Sequence, residues 1–169
     1  MSTIRAVRTY LELPSGKAFV PAFSADPALT VVRAAAPDVA LFRRLYQDVG
    51  KPWHWTDRNA WSDERLAEHL SRAQVELWVL RRGAEDAGFF ELERSSEGVR
   101  IVYFGLDPRF FGLGLGKHML SCAIREARRS RQERVFLDTC TLDGPAALPN
   151  YLARGFSPYR VEEVEARRP

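Results

Sequence analysis

The segment Arg109-Phe110-Phe111-Gly112-Leu113-Gly114-Leu115-Gly116-Lys117 has the spacing in this chain most suggestive of chemistry. Alternating glycines between an extended run and a helical run let successive backbone N–H groups converge. The helix N-terminus behind them adds partial positive charge, and the two together cradle an anion. The competing reading is a tight connection whose glycines serve only the bend. A phosphate loop of the Walker type needs glycine at 111 and serine or threonine after the lysine, where Phe111 and His118 stand. A dinucleotide fingerprint beginning at Gly112 needs glycine or alanine at 117, where Lys117 stands, and an early parallel strand unit. Neither nucleotide motif fits.

The elements that position this loop follow from the pattern. Arg5 to Leu13, the turn Pro14-Ser15-Gly16 and Lys17 to Val20 read as an N-terminal hairpin, an extension over 1–28. Leu29 to Arg33 is a short strand. Asp38 opens a helix carrying Val39, Phe42, Leu45, Tyr46 and Val49 and stopping at Gly50. A polar-aromatic loop, Lys51 to Arg58, leads to a second helix capped by Ser62, with Trp61 and Leu66 spaced as a hydrophobic staple. Val75–Leu80, Gly88–Glu93 and Val99–Leu106 read as an antiparallel meander. A third helix carries Leu115, Met119, Leu120, Ala123, Ile124 and Ala127 on one face and Lys117, Ser121, Arg125, Arg128 and Gln132 on the other. A strand (Val135–Thr141), a short helix (Ala146–Ala153) and a final strand or hairpin (Phe156–Val164) complete one mixed α/β domain over 1–169, with a central mixed sheet of six to seven strands.

The 169 residues, 46% hydrophobic and 28% charged, argue against disorder. No run approaches the ~20 apolar residues of a bilayer-spanning helix, and the start at Met1-Ser2-Thr3-Ile4-Arg5 lacks the pattern of a secretory signal. Two cysteines, Cys122 and Cys140, make neither a disulfide framework nor a closed zinc site, and read as reduced thiols of a cytoplasmic protein. The net charge of +3 hides five arginines, Arg125, Arg128, Arg129, Arg131 and Arg134, in one segment. They read first as a solvated face.

The element order, the Leu106-Asp107-Pro108 … Gly112-Leu113-Gly114-Leu115-Gly116 run and Asn150-Tyr151-Leu152-Ala153-Arg154-Gly155-Phe156 together resemble the GCN5-related N-acetyltransferases, the GNAT superfamily. The resemblance covers the chain from about Leu29 onward. It implies an acetyltransferase that binds acetyl-CoA, without a metal, where two parallel strands splay, here Val99–Leu106 and Val135–Thr141. It implies that Phe104, Gly105 and Leu106 hold the pantetheine arm through backbone groups, with the Leu106 N–H polarising the thioester carbonyl. The pyrophosphate would rest on amides from Phe111 through Gly112, Leu113, Gly114, Leu115 and Gly116 to Lys117, with Asn150 also on the coenzyme side. Two departures stand out. Arg109 meets the family's opening glutamine or arginine only in a register shifted by one glycine step, and Asp143-Gly144-Pro145 stands where asparagine is common.

The resemblance also makes Tyr151 the candidate general acid to the coenzyme's thiolate, against a core tyrosine packed beside Phe156. An acceptor ammonium must lose a proton. Glu91 and Glu93 on one strand face, or His54, are candidates to accept it, against the ordinary reading of solvent-facing carboxylates and a packed histidine. Trp53, His54 and Trp55 are candidates to wall the acceptor side. Cys140 has no histidine beside it in sequence to make it a nucleophile. The leading expectation is direct transfer to a primary amine of a small molecule or peptide, with a homodimer compatible and nucleic acid and membrane not expected as partners. Its rivals are a non-catalytic acyl-CoA sensor or scaffold and a nucleic-acid-binding protein using a basic helix over Arg125–Arg134.

Overall fold

Side chains that alternate between two covered faces build the sheet, and the helices supply the covers. The computed structural model describes residues 3–35 and 37–167. Met1, Ser2, Ala36, Arg168 and Pro169, and with them the outermost ends of the 1–169 and 1–28 readings, lie outside the described residues. The elements are β1 (Thr3–Leu13), β2 (Leu29–Arg33), α1 (Val39–Gly50), a 3-10 turn (Lys51–Trp53), α2 (Asp63–Leu70), β3 (Val75–Arg82), β4 (Glu85–Ser95), β5 (Gly98–Leu106), a 3-10 turn (Pro108–Phe110), α3 (Leu115–Ala127), β6 (Val135–Cys140), α4 (Ala147–Arg154) and β7 (Ser157–Arg167). The strands form one seven-stranded mixed sheet in the order β2-β3-β4-β5-β6-β1-β7. Every neighbouring pair is antiparallel except β5 and β6. Helices α1 and α2 cover one face through Phe42, Leu45, Val49 and Leu66 against Leu77, Val79 and Phe89. Helices α3 and α4 cover the other through Leu115, Leu120, Ile124 and Tyr151 against Leu80, Phe90 and Leu92. Asp38 and Ser62 cap α1 and α2 by accepting from the Leu41 and Arg65 N–H groups.

The N-terminal hairpin does not form. The turn at Gly16 is present, with Lys17 N–H donating to Pro14 O at 3.1 Å. The chain beyond it does not return as a strand, and β1 instead lies between β6 and β7 with both its edges paired. That position buries Leu11 and Leu13 completely in the α3 side of the core, which a two-stranded ribbon cannot do. Residues 17–26 find their partners on helices. Val20 N–H donates to Arg154 O (2.8 Å), Ala22 N–H to Ser121 Oγ (2.8 Å) and Ser24 N–H to His118 Nδ1 (3.0 Å). Ser121, read as part of a polar helix face, is therefore fully buried beneath this strap.

The arginine run divides: Arg125, Arg129 and Arg131 are exposed, as a solvated face requires, while Arg128 and Arg134 are drawn into the fold. Helix α3 ends at Ala127, so there is no basic helix over Arg125–Arg134. Arg128 is buried and donates to the carbonyls of Leu13, Pro14, Lys17 and Glu133, tying the strap to the end of α3. Arg129 pairs with Glu76, Arg131 with Glu133 and Arg134 with Glu12.

Glu91 on β4 faces the α1–α2 layer, not solvent. Its side chain is 0% exposed, and its carboxylate accepts from Arg58 (2.5 and 3.0 Å) and His69 Nε2 (2.7 Å). The Arg58 guanidinium also stacks 4.7–5.2 Å from the rings of Tyr103, Trp61 and Phe42. Burial alone would raise the Glu91 carboxyl, but the bonds from His69 and Arg58 outweigh it and hold it below the ordinary carboxylate range. A depressed folded pKa contributes stability that is complete above the unfolded value, about 4.3, and is lost as pH falls through the folded one. Glu91→Gln leaves Arg58 buried without a counter-charge and is expected to lower unfolding free energy at pH 7 by about 3 kcal/mol. Urea titrations at pH 7 and between pH 5 and pH 3 check this. The difference between wild type and variant should shrink on the acid side, and a constant difference would remove Glu91 from that role.

Candidate functional site

Strands β5 and β6 are paired only at Val99–Val135 and Arg100–Phe136, after which they diverge. On its far edge each strand is fully occupied, β5 by β4 and β6 by β1. At the point of divergence β5 carries a bulge. Glu91 faces Tyr103 and Leu92 faces Ile101, leaving Val102 as the extra residue. A bulge bends the strand and shifts by one residue which backbone groups point to which edge. Beyond it, the Asp107 N–H donates to Ala87 O of β4 at 2.9 Å. Strand alternation then turns the N–H and C=O groups of Phe104 and Leu106 away from β4, into the gap. Gly105 lies tight against the α1 layer, where a methyl would stand 2.6 Å from Val49 Cγ1.

The glycine loop caps the wide end of this gap. Gly112 and Gly114 have φ of 77° and 73°, conformations an L side chain resists, and Gly114 is the N-cap of α3. Gly116 is not a loop glycine. It lies in the first turn of α3, facing Asn150 of α4 and Leu106 of β5, where a methyl would make ordinary contacts with Asn150 Nδ2 (3.7 Å) and Leu106 Cδ1 (3.9 Å). The Phe111 N–H is spent on Pro108 O (3.2 Å) and drops out of the cradle. No side chain caps α3, and the amides of Gly112 to Gly116 have no protein acceptor among the described residues. The Lys117 side chain folds back over Gly114, adding a cation beside them. Arg109 is held by Asp107 (3.0 Å) and contributes no charge there. Free amides, a helix N-terminus and an ammonium make a seat for a diphosphate.

Tyr151 on α4 is buried between Phe104 and Phe156, with ring centroids 6.0 and 6.1 Å away. Burial, then the charges of Asp143 and Asp138, push its hydroxyl well above the ordinary phenol range, so it stays protonated near neutral pH. Trp53 stacks on Phe111 of the glycine loop (6.1 Å, 29°), and its ring lies against Gly144 of the loop after β6. It thereby links the α1–α2 connection to both banks of the gap. His54 is exposed and holds a left-handed backbone (φ 60°) that redirects the chain after Trp53. Trp55 is partly buried, packed against Tyr46, Phe89 and Tyr103, with the edge of its ring over Gly105 of β5.

Neither strand carboxylate read from sequence reaches the gap as a free base. Glu91 is enclosed by Arg58 and His69. Glu93 pairs with Arg72 (3.2 Å) and lies opposite Arg100, at the closed end where β5 and β6 still touch. The carboxylate that the sequence showed only as a departure from the family's asparagine is Asp143. Its Oδ2 accepts from the Cys140 N–H (2.9 Å) and Thr139 Oγ1 (2.6 Å), and its N–H donates to Cys140 O (2.9 Å). Thr141 N–H donates to Val7 O of β1 (3.0 Å), so alternation aims the Cys140 groups, and the Asp143 carboxylate on them, toward the gap. No cluster of three His, Cys, Asp or Glu side chains that could hold a metal occurs among the described residues. A hollow lined by Arg33, Asp38, Leu70 and Leu77 lies at the β2 end of the sheet, away from this chemistry.

Comparisons with known proteins match this geometry. Solved structures with the same fold include a GCN5-related N-acetyltransferase from Sphaerobacter thermophilus (TM-score 0.70, 14% identity, covering 97% of this chain and 52% of that one). They also include the ribosomal-protein-S18-alanine N-acetyltransferase of Escherichia coli (0.60, 18%, covering 75% and 76%). A third is an aminoglycoside acetyltransferase from an uncultured soil metagenomic sample (0.63, 17%, covering 78% and 90%). This chain spans 61% of a functionally unknown conserved protein from Staphylococcus epidermidis that it also resembles (0.64, 13%). No curated protein matches the sequence. The family model for the Acetyltransferase (GNAT) family matches residues 42–156, from α1 through the glycine loop to the end of the tyrosine helix, and the chain belongs to that family.

Proposed function

We propose that this chain transfers the acetyl group of acetyl-CoA directly to a primary amine, with both substrates bound together and no acyl-enzyme. The observation that carries the reading is the gap between β5 and β6, which opens directly onto the uncapped amides at the start of α3. Backbone groups of Phe104 and Leu106 would hold the pantetheine arm as a substitute for the missing strand pairing, and the amides of Gly112 to Gly116 with Lys117 would hold the diphosphate. The Leu106 N–H would donate to the thioester oxygen as charge develops there, stabilisation that needs backbone alone. As the acceptor nitrogen bonds to the acetyl carbon and the carbon–sulfur bond breaks, the Tyr151 hydroxyl gives its proton to the departing sulfur. The acceptor enters this step as the free amine, its ammonium proton lost to water beforehand. The proton the nitrogen sheds on bonding to carbon restores the phenol, directly or through water. Asn150, beside Gly116, would border the diphosphate seat, and Trp53, with His54 at the turn behind it, would wall the acceptor side. The solved relatives act on a ribosomal protein's alanine or on aminoglycosides, as their names state, and both acceptors are amines.

Calorimetry with acetyl-CoA and a thiol-release assay across primary amines test the reading. Binding and turnover are expected. Binding with no turnover for any amine would favour a sensor module, and absence of both would reject the proposal. Tyr151→Phe is expected to lower kcat about a hundredfold while leaving the Kd for CoA within about twofold, and an unchanged kcat would remove Tyr151 from the acid role. Gly112→Val, at a positive φ with open space around the Cβ, should misdirect the cradle. It is expected to raise the Kd for CoA roughly tenfold without altering that for acetyl-pantetheine, which lacks the diphosphate. Equal weakening of both ligands would place the diphosphate elsewhere.

A further inference from the structure

We propose that Asp143 is the anchor for the acceptor's ammonium group, and that it selects cationic primary amines over neutral nucleophiles of the same shape. The inference rests on the transfer reading above and adds a specificity-determining residue to it.

Three observations converge on this carboxylate. Both hydrogen bonds it accepts, from Cys140 N–H and Thr139 Oγ1, go to the single oxygen Oδ2, which fixes the side chain rigidly. The other oxygen, Oδ1, has no hydrogen-bond or salt-bridge partner among the described residues, in a residue only partly exposed. A fixed, half-buried carboxylate with one oxygen open is a strong site for a cation, because its orientation costs nothing further on binding. Its location is the second observation. It sits on the edge of β6 that faces the gap beyond Phe136, and its charge is felt at Tyr151. The third is the aromatic neighbour. The Trp53 ring stands 3.0 Å from where a methyl on Gly144 would lie, one residue from Asp143, and stacks on Phe111 across the mouth. A carboxylate beside an aromatic wall accommodates an ammonium attached to an apolar body. Among other strand carboxylates, Glu91 is paired with Arg58 and His69, Glu93 with Arg72, and Asp138 with Arg8 and Arg100.

Asp143→Asn separates charge from structure. The amide oxygen can keep both bonds that Oδ2 accepts, so the turn survives while the negative charge goes. Binding to the CoA-loaded protein is read by ligand-observed NMR with benzylamine, an ammonium on an aromatic body, and with benzyl alcohol, its neutral counterpart. Wild type is expected to bind benzylamine more tightly than the alcohol. The variant is expected to lose roughly fivefold or more for benzylamine alone, with unchanged thermal midpoint and CoA affinity. Equal affinity of wild type for the two probes, no binding of benzylamine, or a variant that weakens CoA and benzylamine in parallel would each overturn the anchor role. Because this assay needs no turnover, its outcome is separate from the fate of the transfer reaction.

Discussion

Backbone hydrogen bonds that the sheet itself cannot complete set the character of this molecule. Buried N–H and C=O groups require partners, and inside the sheet, away from its outer edges on β2 and β7, neighbouring strands supply nearly all of them. The exception begins after Arg100 and Phe136, where β5 stays with β4 and β6 stays with β1. The bulge at Val102 turns the Phe104 and Leu106 groups into the resulting gap, and the uncapped start of α3 adds a row of unspent amides at its wide end. An extended polar chain ending in a diphosphate complements both at once. On the proposed reading, binding of the coenzyme would depend chiefly on main-chain geometry.

The placement of β1 gives that geometry its rigidity. By pairing with β6 over Arg8–Leu13 and with β7 on its other edge, β1 fixes the position of β6. On the opposite bank, the Arg58–Glu91–His69 lock packs against Tyr103 and fixes the strand from the α1–α2 side. The two banks are thus braced by different means, one by strand pairing from the N-terminus and the other by a buried ion pair. Trp53 reaches across to Phe111 and Gly144, so the aromatic loop is positioned by both banks.

What could be read from sequence was what is encoded locally. Strand and helix periods, the Ser62 cap and the glycines at 112 and 114 each carry their own signal within a few residues, and their placement follows. The N-terminal hairpin misled because Pro14-Ser15-Gly16 does encode a turn, while the partners of β1 lie more than a hundred residues away, and no local pattern announces them. Alternation put Glu91 and Glu93 on one face correctly but could not say that Arg58 would cover the first and Arg72 the second. Trp55 was legible as an aromatic in a polar loop, yet its packing partners, Tyr46, Phe89 and Tyr103, lie on other elements. Asp143 was legible only as a departure from the family's asparagine, because a carboxylate in a turn is ordinary. Its orientation toward the gap follows only from which edge of β6 is free. The arginine run was legible as a solvated face at Arg125, Arg129 and Arg131, but not the carbonyls of Leu13, Pro14 and Lys17 that enclose Arg128, which lie more than a hundred residues away.

Amide hydrogen exchange with and without CoA would probe the open edge most directly. If the gap and cradle receive the coenzyme as argued, added CoA slows exchange at Phe104 and Leu106 and across Gly112 to Lys117. Amides of β2, β3 and β7 should stay unchanged. Slowing confined to other segments, or no slowing at Leu106 and the cradle when CoA is saturating, would contradict it.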